Sequence, residues 1–340
     1  MSLLPISSPH QHGPARTQKV MLQVIWALIP AILLHVWLFD WGILFNIVLL
    51  TLFSLGVEAA MLYLRRRPIL PAISDGSAAV TAILLALTIP PLSPWWICLI
   101  GAIIAIGLAK QLYGGLGFNP FNPAMVAYVA LLISFPQQLT QWQAPLSHIG
   151  HDIAFIEAAV IVFNAAPMDT LTYATPLDNY HSGLTIGQSI DNLDSNQLFR
   201  VFGGVANEQI NLLILLGGLY LLWRGTIRWQ VPVAMLATLF LLSSLFYLID
   251  SDRFASPLFH LLGGGAMLGA FFIATDPVSG ATSERGRLIF GAGVGLFTFI
   301  IRTWGGYPDG VAFAVLLMNM AAPTIDYYTR PPVFGQPSRQ

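Results

Sequence analysis

Residues 20–64 read VMLQVIWALIPAILLHVWLFDWGILFNIVLLTLFSLGVEAAMLYL, and in that run only Asp40 and Glu58 carry a charge. About 20 apolar residues in a helix cross the hydrocarbon core of a bilayer, so the run is long enough for two crossings with a turn at Asp40-Trp41-Gly42. The rest of the chain is written in the same manner. Of its 340 residues 56% are hydrophobic and 9% are charged, with a mean hydropathy of +0.70. A soluble domain carries about 25% charged residues. This composition excludes a disordered chain and an ordinary soluble enzyme. Fifteen basic and sixteen acidic residues leave a net charge of −1, so the basic footprint that holds a nucleic acid is missing. A single cysteine, Cys98, excludes a disulfide framework and a self-contained iron–sulfur or cysteine-type zinc site.

Working outward from 20–64, apolar runs predict ten spans, at about 20–38, 42–64, 78–92, 96–109, 122–136, 209–223, 231–249, 259–275, 288–302 and 311–327. Residues 1–19 are polar, and the apolar run that follows is too long for the core of a signal peptide. With the N-terminus inside, inside segments hold Arg16, Lys19, Arg65, Arg66, Arg67, Lys110, Arg224, Arg228, Arg285, Arg287, Arg330 and Arg339. Outside segments hold only Arg200, Arg253 and Arg302. By the positive-inside rule, both termini are expected to be cytoplasmic. Trp95, Trp96, Trp142, Trp223, Trp229 and Trp304 fall near span ends, as an aromatic belt at the lipid interface requires. The expected organisation is a cytoplasmic segment and first five-helix half at 1–136, an outer loop at 137–208, and a second five-helix half with a cytoplasmic tail at 209–340.

The halves echo each other. GSAAVTAILLALTIP at 76–90 lies over GGGAMLGAFFIATDP at 263–277, with Gly, Ala, Thr and Pro in register at the two ends. Gly114-Gly115 followed by LGFNPFNPAMVAYVALLISFP resembles Gly305-Gly306 followed by YPDGVAFAVLLMNMAAP. Spans three to five therefore match spans eight to ten. An offset of five makes the copies opposite in topology, a plan that puts working sites at broken helices. The fold class expected is an all-α polytopic membrane protein of about ten transmembrane helices in two inverted five-helix halves. The competing explanation is that Gly/Ala-rich membrane segments resemble one another by composition.

The outer loop contains Asp169-Thr170-Leu171-Thr172-Tyr173-Ala174-Thr175-Pro176-Leu177-Asp178. Read alone, this is a turn-prone polar stretch. Its DxxTxAT spacing, however, is similar to the pattern recognised by the flavin transferase that attaches FMN to membrane redox subunits. With ATPLD, it resembles the D-subunit family of bacterial Rnf electron-transport complexes. PWW at 94–96, AKQLYGGLGFNPFNPAM at 109–125, LLISFP at 131–136, MLGAFFIATDPV at 267–278, GRLIFGAG at 286–293, GGYPDGVAFAVLLMN at 305–319 and IDYYTRP at 325–331 extend the resemblance from about residue 5 to 335. The paralogous B subunit of sodium-pumping NADH:quinone reductase shares the architecture. Tyr173 stands where the attachment pattern often has Gly.

The resemblance implies a component of a redox-driven ion translocase in the bacterial inner membrane, incomplete as an enzyme by itself. It implies electron flow between ferredoxin and NAD coupled to Na⁺ or H⁺ movement. Thr175 would carry FMN through a phosphodiester, with Asp169, Thr172 and Ala174 completing the attachment motif on a periplasmic loop. Threonine is a poor nucleophile, so its activation is expected from the transferase. A second, non-covalent flavin, riboflavin by family analogy, would sit within the bundle. The partners implied are the A, B, C, E and G subunits, the flavin transferase and membrane lipid.

Ionisable groups inside a membrane are costly and mark functional candidates. Glu58, Asp75 and Asp276 are the candidate ion-path residues, and each has a bland competitor. For Glu58 it is an interhelical hydrogen bond, and for Asp75 and Asp276 it is capping of a broken helix. Asn119 and Asn122 either orient a flavin or cap backbone. Asp326 is expected to anchor Arg330. Cys98 is expected to face lipid or the core. His35 and His260 make no metal site. The rival class is a small-solute channel or transporter built on inverted repeats without flavin. A structural scaffold for the complex is a further alternative.

Overall fold

A computed structural model describes residues 14–146, 152–164, 172–187, 205–307 and 309–329. Among these residues the chain is helical throughout, apart from one isolated antiparallel bridge between Gln143 and Thr172. The opening run forms α1 (Pro14–Phe39) and α2 (Gly42–Leu64). Between them Asp40 adopts a left-handed backbone (φ 56°), a conformation that Asp tolerates better than most residues. Its carboxylate accepts the Ile153 N–H at 2.7 Å, which ties the later loop back to this first hairpin.

Next come α3 (Ile69–Ile73), α4 (Ser77–Ala86) and α5 (Trp95–Gln111), followed by α6 (Pro123–Ser134) and α7 (Pro136–Thr140). From Ile103 onward α5 winds as a π-helix. The loop region contributes α8 (Phe155–Asn164) and α9 (Pro176–Thr185). The second half opens with α10 (Val205–Trp223) and α11 (Gln230–Ile249). A broken element follows, made of α12 (Pro257–Leu262) and α13 (Ala266–Leu268), the latter continuing as a π turn over Gly269–Ile273. α14 (Glu284–Trp304) and α15 (Val311–Thr329) complete the bundle.

Five helices are long and apolar enough to cross a membrane: Thr17–Phe39, Gly42–Leu64, Gln230–Ile249, Glu284–Trp304 and Val311–Thr329. They turn large apolar side chains outward, Trp26, Trp37, Leu241 and Leu248 among them, and Trp37 is 78% exposed. Water would not tolerate such a belt but lipid does, and the chain is a multi-pass membrane protein.

Two predicted spans are not single helices. The span expected at 78–92 is helical only as α4, whose ten residues rise about 15 Å, half the hydrocarbon thickness. Pro90 and Pro91 stop it, and Asn46 on α2 donates to the Pro90 carbonyl at 2.8 Å, satisfying backbone that no helix covers. The span expected at 259–275 breaks at Gly263-Gly264-Gly265. Elsewhere α11 and α14 pack in close register. A Cβ on Gly291 would lie 2.5 Å from the Val231 carbonyl oxygen, and one on Gly295 would lie 2.4 Å from that of Met235. Two glycines four residues apart thus bring the helix backbones together, as small-residue motifs do in membranes.

Candidate functional site

The first structural centre is the loop threonine. Thr175 is the N-cap of α9, half-buried, and preceded by the exposed Tyr173 and Ala174. Its Oγ1 accepts the Asp178 N–H at 3.1 Å, and Asp178 Oδ2 accepts the Thr175 N–H at 3.1 Å, a reciprocal capping box. One bond lies outside the box: the Thr175 hydroxyl donates to Asp178 Oδ2 at 2.5 Å. Burial pushes the Asp178 carboxyl above its ordinary value, opposed by the Thr175 hydrogen bonds and by His181. Thr172 pairs with Gln143, and the Tyr173 N–H donates to the Trp142 carbonyl at 3.0 Å. Asp169 lies outside the described residues.

Helix α9 is docked on the break between α12 and α13. Leu177 and Tyr180 pack with Ala255 and Phe259, and His181 Nε2 lies 2.7 Å from the Gly305 carbonyl oxygen. Gly264 has φ +57°, and a Cβ there would come within 2.5 Å of both Leu177 Cδ1 and Asp309 Oδ2, so the close approach of α9 requires glycine. Side chains hold the backbone groups of the break at several points. Asn211 donates to the Leu262 and Gly264 carbonyls at 2.7 and 3.1 Å. Arg302, 0% exposed, donates to the His260 carbonyl at 2.6 Å and the Gly263 carbonyl at 3.1 Å. It also pairs with Asp309 at 3.1 Å. The other Asp309 oxygen accepts the Gly265 N–H at 2.7 Å. Irregular backbone at membrane depth survives only with this kind of satisfaction.

The second centre lies at the opposite end of the bundle. Arg287 on α14 borders a cavity of about 220 Å³. The fifteen residues from Arg287 to Arg302 span about 22 Å of helix. Lys110, 2% exposed, also borders the cavity and donates to Glu58 Oε1 and to Ser77 Oγ, both at 2.7 Å. Gln111 donates to the same Glu58 oxygen at 2.8 Å. The π turns of α5 carry Lys110 and Gln111 together toward α2. Ser77 in turn donates to Asp75 through its N–H at 2.7 Å and its hydroxyl at 2.5 Å. Glu58, 1% exposed, keeps one oxygen, Oε2, that has no hydrogen-bond partner among the described residues. Across the cavity Asp276 accepts the Val278 N–H at 3.2 Å and the Ser279 hydroxyl at 2.8 Å. Asn122 caps α6 through the Ala124 and Met125 N–H groups, and its own N–H donates to Asn319 on α15 at 3.0 Å. Asn119 and the ring of Phe271 complete the lining between the two halves.

The structure therefore joins Glu58 to Asp75 through Lys110 and Ser77, sets Asp276 in a turn across the cavity, and holds Thr175 at the far end. Asp326 accepts the Thr282 N–H at 2.8 Å and hydroxyl at 2.9 Å, fastening the loop before α14. Arg330 lies outside the described residues. Cys98 is fully buried, so it faces the core and not lipid. The charge tally missed two residues that matter most. Lys110 and Arg302, assigned there to opposite flanking segments, are buried and ion-paired, Lys110 with Glu58 and Arg302 with Asp309. Each ends an apolar run and stands three or four residues ahead of a Gly-Gly pair, the signal that marks them.

The model of the NQR2, RnfD, RnfE family matches residues 5–335. The chain is 54% identical over 340 residues to a protein of Ectopseudomonas mendocina, covering 98% of this chain and 96% of the other. It is 50% identical over 337 residues to one of Pseudomonas aeruginosa, with the same two coverages, and 48% identical over 341 residues to one of Aeromonas hydrophila, with 97% of each covered. Each of these relatives is named as the D subunit of an ion-translocating oxidoreductase complex.

Proposed function

Since this chain belongs to the NQR2, RnfD, RnfE family, we propose that it is the D-type membrane component of an Rnf-like complex and carries electrons through FMN esterified to Thr175. The observation that carries the reading is the setting of Thr175: a hydroxyl at the head of a ten-residue helix, preceded by exposed residues, with the helix docked on the broken element of the second half. The residues fit the group. Thr175 is half-buried behind the exposed Tyr173 and Ala174, and the amides of the first helical turn favour an attached phosphate. One condition follows: an ester oxygen has no proton, so the bond from the Thr175 hydroxyl to Asp178 is given up on attachment.

Bound FMN would supply one- and two-electron transfer. What the chain contributes is position. Leu177, Tyr180 and His181 fix α9 against the bundle, which limits the reach of anything tethered at Thr175. At the other end, the 220 Å³ cavity with Phe271, Asn119, Asn122, Thr81 and Thr275 in its lining offers a ring face and amide or hydroxyl edges. This is the candidate place for the non-covalent riboflavin. The volume is below the roughly 300 Å³ of ordinary small-molecule sites, so a whole riboflavin requires the cavity to widen.

In this reading the helices make ten crossings in two inverted halves, with both termini cytoplasmic and the Thr175 loop periplasmic at the inner membrane. Lys110 meeting Ser77 and Arg302 meeting Gly263, each within one residue of matched places in the repeat and at opposite ends of the bundle, support the inversion. Glu58, Asp75 and Asp276 form the candidate path for Na⁺ or H⁺, the Glu58 oxygen without a partner being its open position. The A, B, C, E and G subunits would supply the nicotinamide site and clusters that this chain lacks, with a flavin transferase needed for maturation.

The test is direct. Co-expressed with a flavin transferase, the chain should keep a fluorescent band after denaturing electrophoresis, and Thr175→Ala should lose it while still accumulating in the membrane. A dark wild-type band, or a band that survives Thr175→Ala, sinks the assignment, and a channel, transporter or scaffold predicts the dark band.

A further inference from the structure

We propose that Asp178 is the base that takes the Thr175 hydroxyl proton when the flavin is attached, so that this chain supplies part of its own maturation chemistry. The inference rests on the reading of Thr175 as the acceptor and deepens it. A capping box needs only two contacts, each from a backbone N–H to a side-chain oxygen, and both are present. The hydroxyl proton is a third element with its own acceptor, Asp178 Oδ2, at 2.5 Å. That distance is at the short limit for a hydroxyl donating to a carboxylate. The helix holds the pair in register, because residues N-cap and N3 of one turn face each other. A nucleophile with a base already within hydrogen-bond reach is the arrangement that activates weak hydroxyls.

The step balances. Thr175 Oγ1 attacks the flavin-side phosphorus of an FAD donor held by the transferase, and the Oγ1–P bond forms. The bond from that phosphorus to the AMP oxygen breaks, and AMP leaves with the electron pair. The Thr175 proton passes to Asp178 Oδ2, giving a neutral carboxyl. Neutral Asp178 then meets the new ester as a donor, so the product has no buried pair of facing acceptors. The groups that face Asp178 are Thr175 and His181 on its own helix, Asp309 ahead of α15, and Tyr128 on α6. Burial raises the Asp178 carboxyl, which strengthens it as a base wherever it is ionised.

The experiment uses the full-length chain, purified from a host without a transferase, then mixed with transferase and FAD. Attachment is followed as gain of intact mass. Asp178→Asn keeps an oxygen for the Thr175 N–H and so keeps the cap, but cannot take a proton. It should attach flavin about 10²-fold more slowly, the lower end of general-base effects. The ratio of wild-type to Asp178→Asn rates cancels the transferase's own titration, and it should rise with pH to a plateau as Asp178 ionises. Asp178→Glu should recover part of the rate. Equal rates for wild type and Asp178→Asn overturn the proposal. A slowed variant with a ratio constant in pH also overturns it, because only the cap is then at work. A wild-type chain that gains no mass, or a Thr175→Ala chain that does, removes the acceptor reading itself and this proposal with it.

Discussion

Lys110 and Arg302 stand within one residue of matching places in the two halves, yet their surroundings are built differently. Arg302 spreads its fork over two backbone carbonyls and Asp309, while Asn211 and Asp309 hold further backbone groups of the helix break. Lys110 makes two point contacts, to Glu58 and Ser77, and leaves one Glu58 oxygen without a partner among the described residues. A planar guanidinium suits several fixed acceptors at once, while a compact ammonium leaves room for exchange. One end of the bundle is therefore locked around the seat of α9, and the other keeps an unsatisfied carboxylate beside a cavity. The locked end positions, and the looser end has the capacity to respond.

The largest effect belongs to the locked end. Arg302→Ala removes the donor to two buried carbonyls and leaves the Asp309 carboxylate without its cation. Breaking a buried ion pair costs about 3–5 kcal/mol, and arginine offers no protonation change to soften its own role. The thermal midpoint of the detergent-solubilised chain should fall steeply, and α9 should become open to protease. Arg302→Lys should recover part of the stability and little of the protection, since an ammonium does not reach the same three acceptors. If Arg302→Ala melts with the wild type, the contrast between the two ends is wrong.

The looser end should respond less. Lys110→Met strands Glu58, but a carboxyl without a cation can take up a proton, so the expected cost is about 1–3 kcal/mol, that of an unsatisfied buried polar group. Adding Glu58→Gln should return part of that loss, giving a favourable coupling in a double-mutant cycle. Glu58→Gln alone should slow cation movement in proteoliposomes of the whole complex while leaving the flavin band intact. Cation flux at the wild-type rate would take Glu58 out of the path and leave it a structural partner of Lys110.

How legible the molecule is depends on the kind of signal. Long apolar runs such as 42–64 and 231–249 announce their helices, because in lipid nothing else satisfies the backbone. The breaks at Pro90-Pro91 and Gly263–Gly265 pass for continuous spans, since hydropathy averages over them and takes no account of Asn46 or Arg302 supplying the missing partners. Thr175 is singled out as a candidate by its spacing to Asp169 and Thr172, whereas Asp178 enters only as the last letter of ATPLD. Its hydroxyl contact depends on a helical turn starting at Pro176, which the string does not declare. Lys110 misleads for a simple reason. A charge near the end of an apolar run looks like a flanking anchor, and its partner Glu58 is 52 residues away in sequence.

The smallest expected effect is a pH response confined to the locked end. Asp178 on α9 is a carboxyl at this end that burial displaces. Its folded carboxyl lies above the ordinary value of 3.8. Between those two values the docked helix binds more protons than the undocked one, so docking weakens as pH rises through the folded value. Below 3.8 the contribution is fully present, and it is lost once the pH has passed the folded value. Hydrogen exchange of the amides of 177–187, corrected for the intrinsic effect of pH on exchange, should show protection falling from about pH 4 toward neutrality. Asp178→Asn, which carries no charge at either pH, should hold its protection flat across the range. Protection that instead rises with pH would mean that the Thr175 bonds outweigh burial, so that Asp178 sits ionised in its cap and the locked end has no proton-sensitive element.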